Sequence, residues 1–123
     1  MLNNILLIDD DDDEHLFLQW TAEKISKDLC VLHAYNGPQA VRMLKQVAPD
    51  IVLLDINLPG SDGFECLRRI REMEACNHIP VYMYSTDITE EYKKLALELG
   101  ASGTIKKSRT SANFIEHVVE ILI

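Results

Sequence analysis

The sequence has no apolar run longer than a handful of residues, and this excludes a transmembrane helix, which needs about 20. Cysteine is scarce: Cys30, Cys66 and Cys76 show no metal-ligand spacing, so we expect reduced thiols in a cytoplasmic protein. The start, Met1 to Asn4, has no basic flank or cleavage site, so no signal peptide is expected. Glycine and proline are also few, and no low-complexity linker or internal repeat divides the chain.

Basic residues are outnumbered, with 12 lysines and arginines against 20 acids, for a formal charge of −8. Six of the acids are consecutive, Asp9 to Glu14, and without them the charge would be only −2. The low pI of about 4.8 argues against nucleic acid or an anionic membrane as a direct partner. A local cluster of carboxylates points instead to a bound cation.

The length of 123 residues corresponds to one domain, so we predict a single folded unit over 1–123. Short apolar runs alternate with longer amphipathic segments. The runs are typical of strands buried on both faces of a parallel sheet: 5–8, 31–32, 51–54, 81–84 and 104–105. After each run, apolar residues recur at the spacing of a helix, which predicts five helices. Proline opens the second helix and Gly100 stops the fourth. In chain order, the residues that mark the five helices are Leu16 and Trp20; Pro38, Val41, Leu44 and Val47; Phe64, Leu67 and Ile70; Tyr92, Leu95, Ala96 and Leu99; and Phe114, Ile115, Val118, Val119 and Leu122.

Five strand-then-helix repeats predict an open, doubly wound α/β sheet with helices on both faces. Ligands of such sheets bind beyond the carboxyl ends of the strands. The residues expected at that edge are Asp9 and Asp10, Asp55, Ser85 and Thr86, and Lys106 and Lys107.

Three neighbouring carboxylates repel one another unless a cation lies among them, and Mg²⁺ suits oxygen ligands of this kind. A lysine and a hydroxyl beside the ion could bind the remaining oxygens of a phosphoryl group. An aspartate can also be the nucleophile that forms an aspartyl phosphate. Asp55 is the best candidate because it follows the central apolar strand alone.

Four segments, in order along the whole chain, resemble the receiver domain of two-component response regulators. Residues 4–10 resemble the acidic pair of that family, and residues 49–63 its phospho-acceptor segment. Residues 79–85 resemble the strand that bears its switch hydroxyl, and residues 100–107 its last strand with the family lysine. The resemblance implies a flavodoxin-like, five-stranded parallel sheet of order 2-1-3-4-5.

The resemblance also implies site roles. Asp55 would take a phosphoryl group from a histidine kinase or a histidine phosphotransfer protein, catalysing its own phosphorylation and later its own hydrolysis. Asp10, Asp55 and the backbone carbonyl of Asn57 would hold Mg²⁺, with Asp9 assisting through a coordinated water. Lys107 and Ser85 would contact the phosphoryl oxygens.

Phosphorylation would then shift the surface of the fourth helix and fifth strand by pulling Ser85 toward the new charge. The fourth helix, fifth strand and fifth helix could also form a homodimer face. A phosphoryl shuttle within a phosphorelay is a further possibility that the resemblance leaves open. Both a single-domain regulator and part of a longer chain are compatible with the sequence, and the downstream partner is unknown.

The sequence departs from the family pattern at several positions. Thr104 stands where the family usually has an aromatic switch residue. Thr86 is larger than the usual residue after the switch hydroxyl, and we expect it to slow phosphorylation and hydrolysis by crowding the approach to Asp55. Asn57 and Asp87 would flank the water that attacks in dephosphorylation. Ser108 replaces a frequent proline, so a trans peptide bond is expected before it.

Simpler interpretations apply to several other residues. We expect Asp11 to Glu14 to be a solvated run that caps the first helix. The four histidines share no ligand spacing, so ordinary surface or core roles are expected. Tyr82 and Tyr84 are interpreted as core residues of a buried strand, with a signalling role less favoured. Lys106 would replace Lys107 as the phosphate ligand if the strand register slipped by one residue.

Three other functions compete with a phosphorylation switch. A haloacid-dehalogenase-type phosphatase usually needs a second acid two residues after its aspartate, where this chain has Asn57, and it needs room for a cap domain. A flavin carrier of the same fold binds phosphate in its first loop, where the acidic run would repel it. A receiver-like module that binds partners without being phosphorylated is the strongest alternative.

Overall fold

The computed structural model describes residues 3–107, which form a central parallel sheet with helices on both faces. The strands of this sheet are β1 (Asn4–Ile8), β2 (Cys30–Ala34), β3 (Ile51–Leu54), β4 (Val81–Ser85) and β5 (Gly103–Lys106). Their order is 2-1-3-4-5, and every pairing is parallel, which confirms the predicted fold class. The predicted fifth helix and the Lys107–Ser108 peptide lie outside the described residues.

Four α-helices connect these strands: α1 (Asp12–Ile25), α2 (Gly37–Leu44), α3 (Gly63–Glu72) and α4 (Glu90–Glu98). A 3₁₀ turn, Glu74–Cys76, follows α3. Two short strands, Asn57–Leu58 and Ser61–Asp62, pair antiparallel in a hairpin between β3 and α3, which the sequence analysis did not predict. This hairpin begins two residues after Asp55, so it restrains the chain just beyond the predicted phospho-acceptor.

The sheet is buried on both faces, as its apolar runs predicted. Alternate residues of β1 enter two different cores. Leu6 and Ile8 pack with residues of α2 and α3, whereas Ile5 and Leu7 pack with Leu18 of α1. All four residues of β3 are buried. The middle of the sheet is therefore a rigid base for the residues that follow its strands.

Each α-helix of the described chain begins at a polar cap whose side chain accepts a hydrogen bond from a backbone N–H of the first turn. The caps are Asp11, Asn36, Asp62 and Thr89. Pro38 lies in the first turn of α2, as predicted. Gly100, with φ +99°, follows α4 in a conformation that favours glycine.

The predicted apolar faces are wrong in places. Leu16 and Trp20 of α1 are 68% and 45% exposed, because α1 packs through Leu18 and Ala22 together with polar residues that have buried partners. Val47 lies beyond the end of α2 and is exposed, and Leu95 is exposed beside the buried Ala96. Hydrophobic spacing located these helices but misplaced the buried face of α1.

The residues that the structure describes include no helix long and apolar enough to cross a membrane. Cys30, Cys66 and Cys76 are free thiols in the structure. Burial raises the pKa of Cys66 to about 11, so this thiol stays protonated at neutral pH.

Candidate acidic site at the strand ends

The carboxylates of Asp9, Asp10 and Asp55 meet at the carboxyl edge of β1 and β3. Backbone hydrogen bonds continue the sheet by one residue at each strand, from Asp9 N to Ala34 O (3.0 Å) and from Asp55 N to Ile8 O (2.9 Å). One carboxylate oxygen from each of the three aspartates lies within 4.8 Å of the others. The sheet therefore fixes the backbone from which two of these side chains project.

Asp9 is fully buried and holds the turn into α1. Its Oδ1 accepts a hydrogen bond from the backbone N–H of Asp11 (3.0 Å). Its Oδ2 lies 2.8 Å from Nζ of Lys107, and apart from this ion pair it has no hydrogen-bond partner within residues 3–107. Oδ2 of Asp9 is therefore buried with Lys107 as its one charged partner among these residues.

Lys107, and not Lys106, reaches the acidic cluster. Its backbone N–H donates to Ser85 O (2.8 Å), which keeps it in register with β4, and its Nζ lies 3.5 Å from Asp55 Oδ2. Lys106 is exposed. Burial alone would lower the pKa of Lys107, but the hydrogen bond and charge of Asp9, with the charges of Asp55 and Glu14, raise it above its usual value.

Asp55 is only 5% exposed. Burial, followed by the charge of Asp9, raises the pKa of Asp55 to about 6, against the opposing attraction of Lys107 and a hydrogen bond from Asn57 N to Oδ1 (3.3 Å). The carboxylate is therefore ionised at neutral pH at a considerable cost in free energy. A cation bound beside it would remove much of that cost.

Gly63, the first residue of α3, packs directly on the backbone of Asp55. A Cβ at position 63 would lie 2.1 Å from the carbonyl oxygen of Asp55 and 2.7 Å from Cα of Ile56. The N–H of Gly63 also donates to the carbonyl of Ile56 (2.6 Å). Only glycine fits here without moving the segment that carries the predicted phospho-acceptor.

Gly63→Ala is expected to lower the free energy of unfolding by about 3 kcal/mol, because the added methyl group overlaps backbone atoms that belong to a packed core. Urea unfolding measures the loss. Gly60→Ala is the matched control: Gly60 has φ +75° but no neighbour within 4 Å, so only backbone strain of about 1 kcal/mol is expected. Equal losses in the two variants would contradict the steric explanation.

Four of the other predicted site residues lie around the same edge, and Thr104 does not. Ser85 ends β4, is 1% exposed, and its Oγ accepts from Asp87 N (3.4 Å), which leaves its proton free to donate. Thr86, Asp87 and Asn57 are exposed at the rim. Thr104 is half-buried in β5, paired with Met83, so it does not lie at the strand end.

A divalent cation fits this donor set. Three carboxylates converge, one oxygen of Asp9 is buried with a single ion-pair partner, and Asp10 is exposed so that an ion could enter from solvent. Hard cations such as Mg²⁺ prefer oxygen ligands and usually keep several waters. In residues 3–107 no other set of three histidine, cysteine or acidic side chains shows this convergence.

His15 and His33, for which the sequence predicted ordinary surface or core roles, support the turn that follows Asp9. Nε2 of His15 lies 2.7 Å from the carbonyl oxygen of Asp9, so it must be the donor, and Nδ1 of His15 lies 2.6 Å from Nδ1 of His33. Burial and the neighbouring His15 lower the pKa of His33. The two histidines lie on different elements, 18 residues apart, so sequence spacing could not pair them.

The prediction that Asp11 to Glu14 are solvated is wrong for Glu14. Asp11, Asp12 and Asp13 are exposed, but Glu14 is 4% exposed and accepts a hydrogen bond from the hydroxyl of Tyr84 (3.0 Å). Glu14 precedes Leu18 by four residues, which places both on the buried face of α1. This spacing was a signal in the sequence that the length of the acidic run concealed.

Comparison with known proteins agrees with this geometry. Residues 5–119 match the response regulator receiver domain. The fold is similar to the chemotaxis response regulator CheY4 of Vibrio cholerae, with 20% identity, a TM-score of 0.86 and full coverage of both chains. It is also similar to the phosphorylated cyanobacterial phytochrome response regulator RcpA, with 27% identity, coverage of 98% of this chain and 91% of that one, and a TM-score of 0.86.

The structure of the Mn²⁺-bound response regulator Rcp1 is also similar, with 28% identity, coverage of 97% and 91%, and a TM-score of 0.80. The family match covers most of the chain, and the same chain brings the acidic residues, the hydroxyl and the lysine to one edge of the sheet. The chain therefore belongs to the response regulator receiver domain family of two-component signalling.

Proposed function

We propose that Asp55 accepts a phosphoryl group from a phosphohistidine of a histidine kinase or histidine phosphotransfer protein, and that the product changes which proteins bind the domain. The observation that carries this proposal is the buried Asp55 carboxylate, with the Lys107 ammonium 3.5 Å away and two further carboxylates within 4.8 Å. Family membership supports the phosphorylation switch, and the geometry supports the choice of acceptor.

In the proposed reaction a carboxylate oxygen of Asp55 attacks phosphorus, an O–P bond forms, and the N–P bond to the histidine of the donor breaks. The imidazole leaves with the electron pair of that bond and takes a proton. Lys107 is placed to neutralise phosphoryl oxygens, and the Ser85 hydroxyl can donate to one of them. Positioning and charge neutralisation are what such a transfer chiefly requires.

Asp10, Asp55 and the backbone carbonyl of Asn57 would hold Mg²⁺, with Asp9 acting through a water. When bound, the ion supplies charge neutralisation for the carboxylates and the phosphoryl oxygens. A Mn²⁺-bound relative is compatible with divalent metal binding by this family. Asp9 itself is held by Lys107 and by the N–H of Asp11, and this suits an indirect role.

The acyl phosphate would act on a surface next to the site. The phosphoryl group adds roughly −1.5 to −2 charges at pH 7. Ser85 ends β4, and the loop after it leads directly into α4. The strand β5 pairs with β4 next to this loop. We propose that this surface exchanges protein partners, with a homodimer as one possible state, in a single receiver domain of the cytoplasm.

The test is labelling with acetyl phosphate, a small phosphodonor, with Mg²⁺ and with EDTA. Intact mass should show one added phosphoryl group only with Mg²⁺, and Asp55→Asn should show none. Purified histidine kinases would then identify the natural donor and show whether Asp55 passes the group on in a relay. No label from any donor would contradict the proposal and favour a binding module that is never phosphorylated.

Thr86→Ala is expected to speed both phosphorylation by acetyl phosphate and the later hydrolysis by a few-fold. Thr86 is exposed directly after Ser85, and we propose that its branched side chain crowds the approach to Asp55. Stopped-flow and mass measurements give the two rates, and Thr89→Ser, four residues from the switch hydroxyl, is the control. Rates no faster than those of the parent would reject the crowding hypothesis.

A further inference from the structure

Glu14 and Tyr84 form a buried polar pair beside the proposed phosphorylation site. Tyr84 has no exposed surface and Glu14 is 4% exposed, and the Tyr84 hydroxyl donates to Glu14 Oε2 (3.0 Å). Tyr84 immediately precedes Ser85 on β4, and Glu14 lies in the first turn of α1. The pair therefore joins the two elements that flank the acidic cluster.

The aromatic ring of Tyr84 also reaches the lysine of the site. Nζ of Lys107 lies 5.3 Å from the ring centroid, within the range in which an ammonium is attracted by an aromatic face. Lys107 thus has Asp9 at 2.8 Å, Asp55 at 3.5 Å and the Tyr84 ring on a third side. A flexible lysine chain is held at three points before any phosphoryl group arrives.

A carboxylate at position 14 is costly, because it adds a buried acid to a region that already holds Asp9 and Asp55. Packing alone would be served by an apolar residue on this face of α1, next to Leu18. The hydrogen bond to Glu14 fixes the rotation of the Tyr84 phenol, whose ring lies beside Nζ of Lys107.

We propose that Glu14 and Tyr84 are positioning residues that hold the Lys107 ammonium over the carboxylates of Asp9 and Asp55. This inference rests on the proposed function, in which Lys107 binds phosphoryl oxygens. The proposed effect is preorganisation: Glu14 holds the Tyr84 phenol in place, and the Tyr84 ring restricts Lys107 to the place where the phosphoryl oxygens will be. Neither residue is expected to touch the phosphoryl group itself.

Three variants separate the parts of the pair. Tyr84→Phe keeps the ring and removes the hydroxyl, Glu14→Gln keeps an acceptor and removes the charge, and Tyr84→Leu removes the aromatic face. Tyr82→Phe, which changes the other tyrosine of β4, is the matched control. Urea unfolding identifies variants that remain folded, and if Tyr84→Leu does not fold, the other two decide the outcome.

The readout is binding of beryllium trifluoride, a phosphoryl mimic, in the presence of Mg²⁺, followed by ¹⁹F NMR and calorimetry. We expect Tyr84→Leu to bind it about tenfold more weakly than the parent, which corresponds to loss of a desolvated cation–π contact. Tyr84→Phe and Glu14→Gln should bind it a few-fold more weakly, and in all three the resonance of the fluorine next to Lys107 should shift. Tyr82→Phe should match the parent.

Folded variants with the affinity and the fluorine spectrum of the parent would overturn the positioning role while leaving the proposed function intact. A merely structural pair would lower the urea midpoint without changing the fluorine spectrum. A parent protein that binds no beryllium trifluoride with Mg²⁺ would overturn the proposed function and the positioning role with it. Failure of the positioning role and failure of the proposed function can be told apart, because binding of beryllium trifluoride to the parent is measured before binding to the variants.

Discussion

Asp55→Asn should abolish phosphate incorporation and, without Mg²⁺, should make the folded protein more stable at pH 7. The pKa of Asp55 is raised to about 6 in the folded chain, from an ordinary value of 3.8. Burial and the charge of Asp9 therefore make the ionised carboxylate unfavourable. An uncharged amide of nearly the same shape removes this cost, which amounts to about 2–3 kcal/mol for a shift of this size.

The sign of the pH dependence follows from the direction of the pKa shift. Between pH 4 and pH 6 the folded protein holds a proton on Asp55 that the unfolded chain has lost, so the contribution of this group to stability falls as pH rises through that window. The stability difference between Asp55→Asn and the parent should therefore be small below pH 4, grow up to pH 6 and then stay constant. Urea unfolding in EDTA across this range measures it.

Asp12→Asn is the control for Asp55→Asn, because Asp12 is an exposed carboxylate near the same rim. Its effect should stay within about 0.5 kcal/mol at every pH. Mg²⁺ should shrink the advantage of Asp55→Asn by stabilising the parent in proportion to its binding. A parent that is more stable than Asp55→Asn at pH 7 in EDTA would contradict the conclusion that the ionised carboxylate of Asp55 destabilises the folded protein.

Lys107→Met should produce the largest loss of function among the lysine variants. It removes the ammonium that lies 2.8 Å from Asp9 and 3.5 Å from Asp55, while keeping a side chain of similar length. The maximal rate of phosphorylation by acetyl phosphate should fall about 100-fold, as for loss of a donor to a developing charge. The variant should also lose about 2–4 kcal/mol of stability at pH 7, because Asp9 would become a buried and unpaired acid.

Lys106→Met is the matched control for Lys107→Met, since Lys106 is exposed on the neighbouring position of the chain. Its rate and stability should match those of the parent. The stability lost by Lys107→Met should diminish as the pH falls and Asp55 becomes protonated, beginning at a higher pH than in the parent, because Lys107 lowers the pKa of Asp55 there. Equal effects of the two substitutions would contradict the conclusion that Lys107, and not Lys106, is the lysine of the acidic site.

The sheet could be predicted from sequence because its strands are buried on both faces. Ile51 to Leu54 form an unbroken apolar run, and the structure buries all four residues. The convergence of Asp9, Asp55 and Lys107 followed from the rule that parallel strands end at one edge, so it needed no information on side-chain packing. The hairpin at 57–62 was missed, because two-residue strands carry no periodic signal.

Helix α1 shows where hydrophobic spacing fails. Leu16 and Trp20 are apolar and four residues apart, yet both are exposed, whereas Glu14 and His15 are buried. The buried polar residues are stable there because Tyr84 and the carbonyl of Asp9 provide hydrogen bonds. Those partners lie on other elements, so their effect on α1 depends on the tertiary structure.

The two tyrosines of β4, both predicted to be core residues, differ in burial and in their polar contacts. Tyr84 is a core residue, as predicted, but its hydroxyl and ring also reach Glu14 and Lys107. Tyr82 is only half-buried and lies against Gly103 of the neighbouring strand, where an added Cβ would lie 3.1 Å from its ring. The two tyrosines are two residues apart, so both face the same side of the sheet, and Tyr82 packs at the edge of the core that buries Tyr84.

The most direct test of the central claim is a crystal structure of the protein with Mg²⁺ and beryllium trifluoride. We expect beryllium bonded to a carboxylate oxygen of Asp55, fluorines in contact with Lys107 and Ser85, and the metal bound by Asp10, Asp55 and the Asn57 carbonyl. Beryllium trifluoride on another residue, or an Asp55 carboxylate that binds neither group while Lys107 stays paired with Asp9, would contradict it.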